Sequence, residues 1–137
     1  MTPLLHALEL DHVGIAASGV AELPLARVLD ADPADLVEMP SGVAVGRFGP
    51  QERLELVTPA RPGSPVERFL ERRGPGLHHV ALRVDEPLAE VLSRLREQGI
   101  EPVGAIEPSS DGRPCVFLHP GSTGGVLVEL VQGTRPT

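Results

Sequence analysis

The feature that most constrains the fold of this chain is an internal repeat. The stretch Leu10-Asp11-His12-Val13-Gly14-Ile15-Ala16-Ala17 is re-read by Gly76-Leu77-His78-His79-Val80-Ala81-Leu82-Arg83-Val84. In each, a histidine preceded by a polar residue opens an apolar run, and a small residue, Gly14 or Ala81, stands two positions further on. A second pair follows. Leu54-Glu55-Leu56-Val57 comes 43 residues after His12, and Val128-Glu129-Leu130-Val131 comes 50 residues after His79. The offset between copies is therefore 67 residues at the histidines and 74 at the glutamates, the second copy being the longer. Such self-similarity marks one unit written twice. A length of 137 residues accommodates one domain, or two very small modules fused into one.

Local signals fill in each copy. Residues 1–8 read as a short leader in which His6 is a solvated tail residue. Leu10 to Ala17 is a strand, and Pro24 restricts the next helix to a short one starting near itself. Leu36 to Met39, Gly42 to Phe48 and Arg53 to Thr58 read as extended. Ser64-Pro65-Val66-Glu67 is the strongest helix start: Ser64 can accept a backbone N–H, Pro65 suits the first helical position, and Glu67 can reach back. That helix runs to about Arg73, and Gly74-Pro75-Gly76 launches the second histidine strand. Asp85 is expected to cap a helix over Glu86 to Gln98, with Leu88, Val91, Leu92 and Leu95 on one face and Gly99 in the left-handed terminal position. Ile100 to Ile106, Arg113 to Leu118 and Val126 to Gln132 are extended, separated by turn formers. Each copy thus reads strand, helix, three strands. The expected organisation is a single domain over residues 1–137, made of modules at about 9–60 and 76–132 joined by a helical linker at about 61–75.

Composition sets the outer limits. With three Phe and no Trp or Tyr the core must be aliphatic, and 15 Gly with 15 Pro favour short strands and turns over long helices. A formal charge of −7 with no basic stripe argues against a nucleic-acid partner. No apolar run reaches the roughly 18 residues of a membrane span, and no signal-peptide pattern opens the chain, so no membrane partner is expected. The single Cys115 excludes an internal disulfide and a thiolate cluster, which makes a cytoplasmic location the default, with Cys115 a small buried strand residue.

The chemistry lies in the repeated His and Glu. Side chains alternate along a strand, so His12 shares a face with Gly14 and His79 with Ala81, leaving room beside each imidazole. Glu55 and Glu129 sit mid-strand among aliphatic neighbours, where an isolated carboxylate costs several kcal/mol or takes up a proton. Any one of these residues could be a packed histidine or a carboxylate on a wetted face. All four at matched places in two copies point instead to a divalent cation held by two imidazoles and two carboxylates. Zinc, nickel, cobalt, manganese and iron all accept such a donor set, and the absence of sulfur does not choose among them.

With Asp11-His12-Val13-Gly14-Ile15, Leu54-Glu55-Leu56-Val57-Thr58-Pro59, Ser64-Pro65 with Phe69-Leu70, Gly76-Leu77-His78-His79-Val80-Ala81, and Phe117-Leu118-His119-Pro120-Gly121-Ser122-Thr123-Gly124-Gly125-Val126-Leu127-Val128-Glu129-Leu130, the chain resembles the vicinal oxygen chelate (glyoxalase/bleomycin resistance/dioxygenase) superfamily over residues 9 to 132. Within it, the long final motif is similar to that of methylmalonyl-CoA epimerases. The resemblance implies an α+β fold of tandem βαβββ modules forming a curved, partly open mixed β-sheet barrel around a metal site. It implies one divalent ion ligated by His12, Glu55, His79 and Glu129, with His79 rather than His78 as ligand because His79 aligns with His12. It implies an acyl-CoA substrate, and interconversion of (R)- and (S)-methylmalonyl-CoA through a metal-stabilised enolate, with Glu129 as base.

This sequence departs from the resemblance in places. Some such epimerases carry a second catalytic Glu on the strand after a Gly-Val pair, where this chain has Gly42-Val43-Ala44-Val45. Glu38, Glu107 and Asp111 are the substitutes available. A Lys often found after the His-Pro pair is Gly121 here, and the first helix lacks the usual aromatic pair. The Ser122-Thr123-Gly124-Gly125 turn reads either as a plain loop or as a grip on substrate, and Arg47, Arg61, Arg72, Arg73 and Arg113 are candidates for CoA phosphates. A glyoxalase I-type lyase or isomerase acting on a hemithioacetal, and a non-catalytic binding protein, are the alternative functions. The site could be built within one chain or by exchange between two copies in a homodimer.

Overall fold

A computed structural model describes residue 5 and residues 9–32 and 35–136. His6 and the rest of the expected leader, apart from Leu5, lie outside the described residues. The elements run β1 (Glu9–Ala16), α1 (Pro24–Val28), β2 (Val37–Glu38), β3 (Val43–Phe48), β4 (Leu54–Pro59), α2 (Pro65–Arg73), β5 (Gly76–Val84), α3 (Leu88–Glu97), β6 (Pro102–Pro108), β7 (Pro114–Leu118) and β8 (Val128–Gln132). Strand, helix, three strands occurs twice, as the sequence predicts. No helix among the described residues is long and apolar enough to cross a membrane.

The chain divides into two compact units, His12–His78 and His79–Thr137, the latter together with residues up to Asp11. In the first, the strand order is β2-β3-β4-β1. Here β1 and β4 are parallel, with Gly14 opposite Glu55, and β3 and β4 form an antiparallel hairpin with Arg47 opposite Glu55. Odd residues of β1 and even residues of β4 face α1: Ile15, Ala17, Leu54 and Leu56 cluster with Ala26 and Phe48. On the other face Ala16, Val43, Val45 and Val57 pack with Val66, Phe69 and Leu70 of α2. By alternation His12, Arg47 and Glu55 belong to that second face. The helix that fills part of it starts where the sequence says. Ser64 Oγ accepts the Glu67 N–H at 3.2 Å, and Glu67 Oε1 accepts from Gly63 N at 3.1 Å, one residue earlier than a standard capping box.

The second unit repeats the scheme in the order β5-β8-β7-β6. β5 and β8 are parallel with Ala81 opposite Glu129, and β7 and β8 are antiparallel with Phe117 opposite Glu129. One face of these strands, through Val84, Val116, Leu118 and Leu130, buries against Leu88, Val91, Leu92 and Leu95 of α3. Burying each such side chain contributes about 1.5–3 kcal/mol. The other face carries Ala81, Cys115 and Val131, and with them His79, Phe117 and Glu129. On β6 the register shifts between Val103 and Glu107, where Gly104 takes φ 74°.

The expected cap of α3 is corrected. Pro87, with φ −57° and ψ 130°, is the N-cap residue, so the helix begins at Leu88 rather than Glu86, and no side chain of its own caps it. A residue before proline is disfavoured in the helical region, which excludes Glu86 from the first turn. Asp85 instead pairs with Arg83 at 3.5 Å, and the Leu88 N–H goes to Gln132 Oε1 at 3.1 Å. Gly99 ends the helix at φ 79°, as expected.

Candidate active site

Each unit brings one histidine and one glutamate together. In the first, His12 Nε2 lies 3.6 Å from Glu55 Oε2, with side chains 2% and 8% exposed. In the second, His79 Nε2 lies 3.6 Å from Glu129 Oε1, again 2% and 8% exposed. The equality follows from register: each Glu sits across a parallel pairing from the small residue two positions after its histidine.

The surroundings of the two pairs differ. Arg47 Nε donates to Glu55 Oε2 at 3.1 Å and Arg47 NH1 to the Glu52 carbonyl at 3.4 Å. At the matched register position, Phe117 presents its ring to His79 edge to face, centroids 5.4 Å apart and planes at 83°. His78, the residue before His79 on β5, has its ring 4.9 Å from that of Phe69.

The donors suit a borderline divalent cation. His12, His79 and Glu129 are buried groups of metal-ligating type. The 3.6 Å within each His–Glu pair lies at the upper end of the about 3.3–3.6 Å that separates ligand atoms set tetrahedrally about 2.0–2.2 Å from one ion.

The candidate substitutes for a second acid are exposed or already paired. Glu38 is exposed on β2 and paired with Arg61 at 3.2 Å. Glu107 is exposed on β6. Asp111 accepts from Ser109 Oγ at 2.7 Å and from Arg113 Nε at 3.0 Å. Burial would raise the Asp111 pKa, but hydrogen bonds from Arg113 and Ser109 and the Arg113 charge outweigh it and hold the carboxyl below its ordinary value.

Arg113 is itself buried, 6% exposed, and forms a bidentate pair with Asp11 at 2.7 and 3.0 Å while donating to the Gly133 carbonyl. Burial would lower its pKa, yet the bonds and charges of Asp11 and Asp111 raise it. The sequence offered Arg47 and Arg113 only as candidates for CoA phosphates. The structure ties both to carboxylates instead, one of them Glu55. For Arg47 the available signal was hairpin arithmetic, since the Gly49-Pro50 turn between β3 and β4 sets it across from Glu55. The Pro120–Ser122 turn is held by local bonds: His119 Nδ1 accepts the Gly121 N–H at 3.0 Å, and Ser122 Oγ donates to the His119 carbonyl at 2.7 Å.

Comparison with known proteins adds an independent line. Residues 11–117 match the glyoxalase/bleomycin resistance protein/dioxygenase superfamily. The chain is 41% identical over 86 residues to an ethylmalonyl-CoA/methylmalonyl-CoA epimerase of Cereibacter sphaeroides, covering 61% of this chain and 63% of that protein. It is 37% identical over 133 residues to the mitochondrial methylmalonyl-CoA epimerase of Dictyostelium discoideum, covering 90% of this chain and 78% of that one. Among solved structures, methylmalonyl-CoA epimerase of Mycobacterium tuberculosis superposes with a TM-score of 0.75 at 29% identity, over 98% of this chain and 92% of that one. Each unit has the βαβββ order with parallel and antiparallel pairings expected from the sequence, and the family match and the superposition bear out a tandem of such modules.

Proposed function

The chain belongs to the glyoxalase/bleomycin resistance protein/dioxygenase superfamily, and from that premise we propose that it is a divalent-metal-dependent epimerase interconverting (R)- and (S)-methylmalonyl-CoA. The observation that carries the proposal is the repeated buried His–Glu pair, His12 with Glu55 and His79 with Glu129, each at 3.6 Å. Relatives named as methylmalonyl-CoA epimerases supply the substrate. His12, Glu55, His79 and Glu129 are the proposed ligands of one ion. When bound, a divalent ion supplies electrophilic stabilisation of the negative charge that develops on thioester and carboxylate oxygens.

The chain's own groups account for the rest. The substrate hydrogen between a thioester and a carboxylate is acidic enough for a positioned carboxylate to remove and return it. Glu129 is the proposed base. It lies on a strand whose neighbours Val128 and Leu130 turn to the opposite face, and an uncharged Phe117 stands across from it. The four residues lie in one chain, so the proposal needs no second copy. A homodimer would register in light scattering as twice the 14.5 kDa chain mass. The same reading places the protein in the cytoplasm, a reducing compartment in keeping with a single cysteine.

The test is incubation of the metal-loaded protein with one epimer of methylmalonyl-CoA in deuterated water. Loss of stereochemical purity with deuterium entering the α-carbon is the expected result. No exchange above background, with turnover of a hemithioacetal instead, would assign the chain to glyoxalase-type chemistry.

A further inference from the structure

The two modules share a register but not the residue that occupies it. Across the β3–β4 hairpin from Glu55 stands Arg47, and across the β7–β8 hairpin from Glu129 stands Phe117. The guanidinium is fixed on two sides, by Glu55 Oε2 at 3.1 Å and by the Glu52 carbonyl at 3.4 Å. The oxygen it bonds is the one that faces His12 Nε2. With side-chain exposures of 15% and 8%, Arg47 and Glu55 interact where water screens little. A guanidinium keeps its charge at any working pH. The matched ring of Phe117 contributes no charge and packs on His79.

We propose that Arg47 sets the electrostatics of the site: it draws charge from Glu55 and fixes it as a weak, immobile donor, leaving Glu129 as the carboxylate that moves the proton. The inference rests on the proposed reading of Glu55 and Glu129 as ligands of one ion. A hydrogen bond from a cation occupies a lone-pair direction on Oε2 and reduces the negative charge that Glu55 can offer. Arg47 therefore weakens metal binding while leaving more positive charge to face the substrate's thioester and carboxylate oxygens. Such a trade between affinity and electrophilicity is how groups behind the ligands tune a metal. A residue with only a structural part would act otherwise: its loss would slacken Glu55 and weaken binding and turnover together.

The sign of the affinity change is thus the test. Full-length protein, stripped of metal, is titrated with Co2+ alone as wild type, Arg47→Met, Arg47→Gln and Arg47→Lys, and each loaded variant is assayed for α-proton exchange. Both neutral variants are expected to bind Co2+ about tenfold tighter, the lower end of effects seen for groups behind metal ligands, and to exchange about tenfold more slowly. Arg47→Lys, which keeps the charge, is expected to return Co2+ affinity to within about threefold of wild type. Two neutral variants guard against one that folds poorly, as judged by thermal melting without metal. In a Glu55→Gln background, Arg47→Met is expected to change Co2+ affinity no further. Unchanged or weaker Co2+ binding in well-folded neutral variants would overturn the proposal, as would an equal effect in the Glu55→Gln background. If Glu55→Gln alone left Co2+ affinity at the wild-type level, the ligand role of Glu55 would fall first, and the inference with it.

Discussion

A carboxylate placed mid-strand among aliphatic side chains is unstable as an isolated charge, and each of the two here has a histidine within 3.6 Å. What distinguishes them is the cross-strand neighbour, Arg47 for Glu55 and Phe117 for Glu129. The proposed roles predict separable losses. Glu129→Gln, close in shape but unable to take a proton, should lower α-proton exchange by at least about 10²-fold, the usual contribution of a positioned base. Its melting temperature without metal should stay near that of wild type. His79→Ala should lose metal, read by elemental analysis after gel filtration, and retention of a full equivalent would remove His79 from the ligands.

At the scale of elements, how much could be read depended on how local each signal was. Ser64-Pro65 and Gly99 act within one turn of their own positions, and both helix ends came out as the sequence predicts. The start of α3 did not, because Pro87 overrode Asp85 and the Leu88 N–H found Gln132, 44 residues away. The pairing of Arg47 with Glu55 was hidden for a related reason, since it exists only once the β3–β4 register is known. The four proposed ligands stand out because the repeat marks them twice, whereas Asp11 and Arg113 occur once, 102 residues apart. A cap bond between a serine and a backbone N–H is worth about 1 kcal/mol. Ser64→Ala should therefore lower the free energy of urea unfolding by about 1 kcal/mol, with metal affinity unchanged.

For the whole molecule, the Asp11–Arg113–Asp111 network joins the start of β1, the loop before β7 and, through the Gly133 carbonyl, the end of β8. It should govern behaviour in acid. The Asp111 pKa is lowered in the folded chain, so the unfolded chain takes up a proton first, near its ordinary pKa of about 3.9. The stabilisation is complete above that value and is lost as pH falls through the lower folded-state pKa. Urea midpoints should drop steeply below about pH 4, and Asp111→Asn should lessen that slope.

The inequality of Arg47 and Phe117 also bears on why both modules are carried on one polypeptide. Two copies of a single-module protein could assemble the same His and Glu pairs, but every substitution would then appear on both sides at once. An arginine that quiets one carboxylate would quiet the other, and a phenylalanine that spares one would spare both. Carrying both modules in one chain lifts that constraint, because the two copies need not share every residue. A chain so built permits a division of labour that two identical copies could not have.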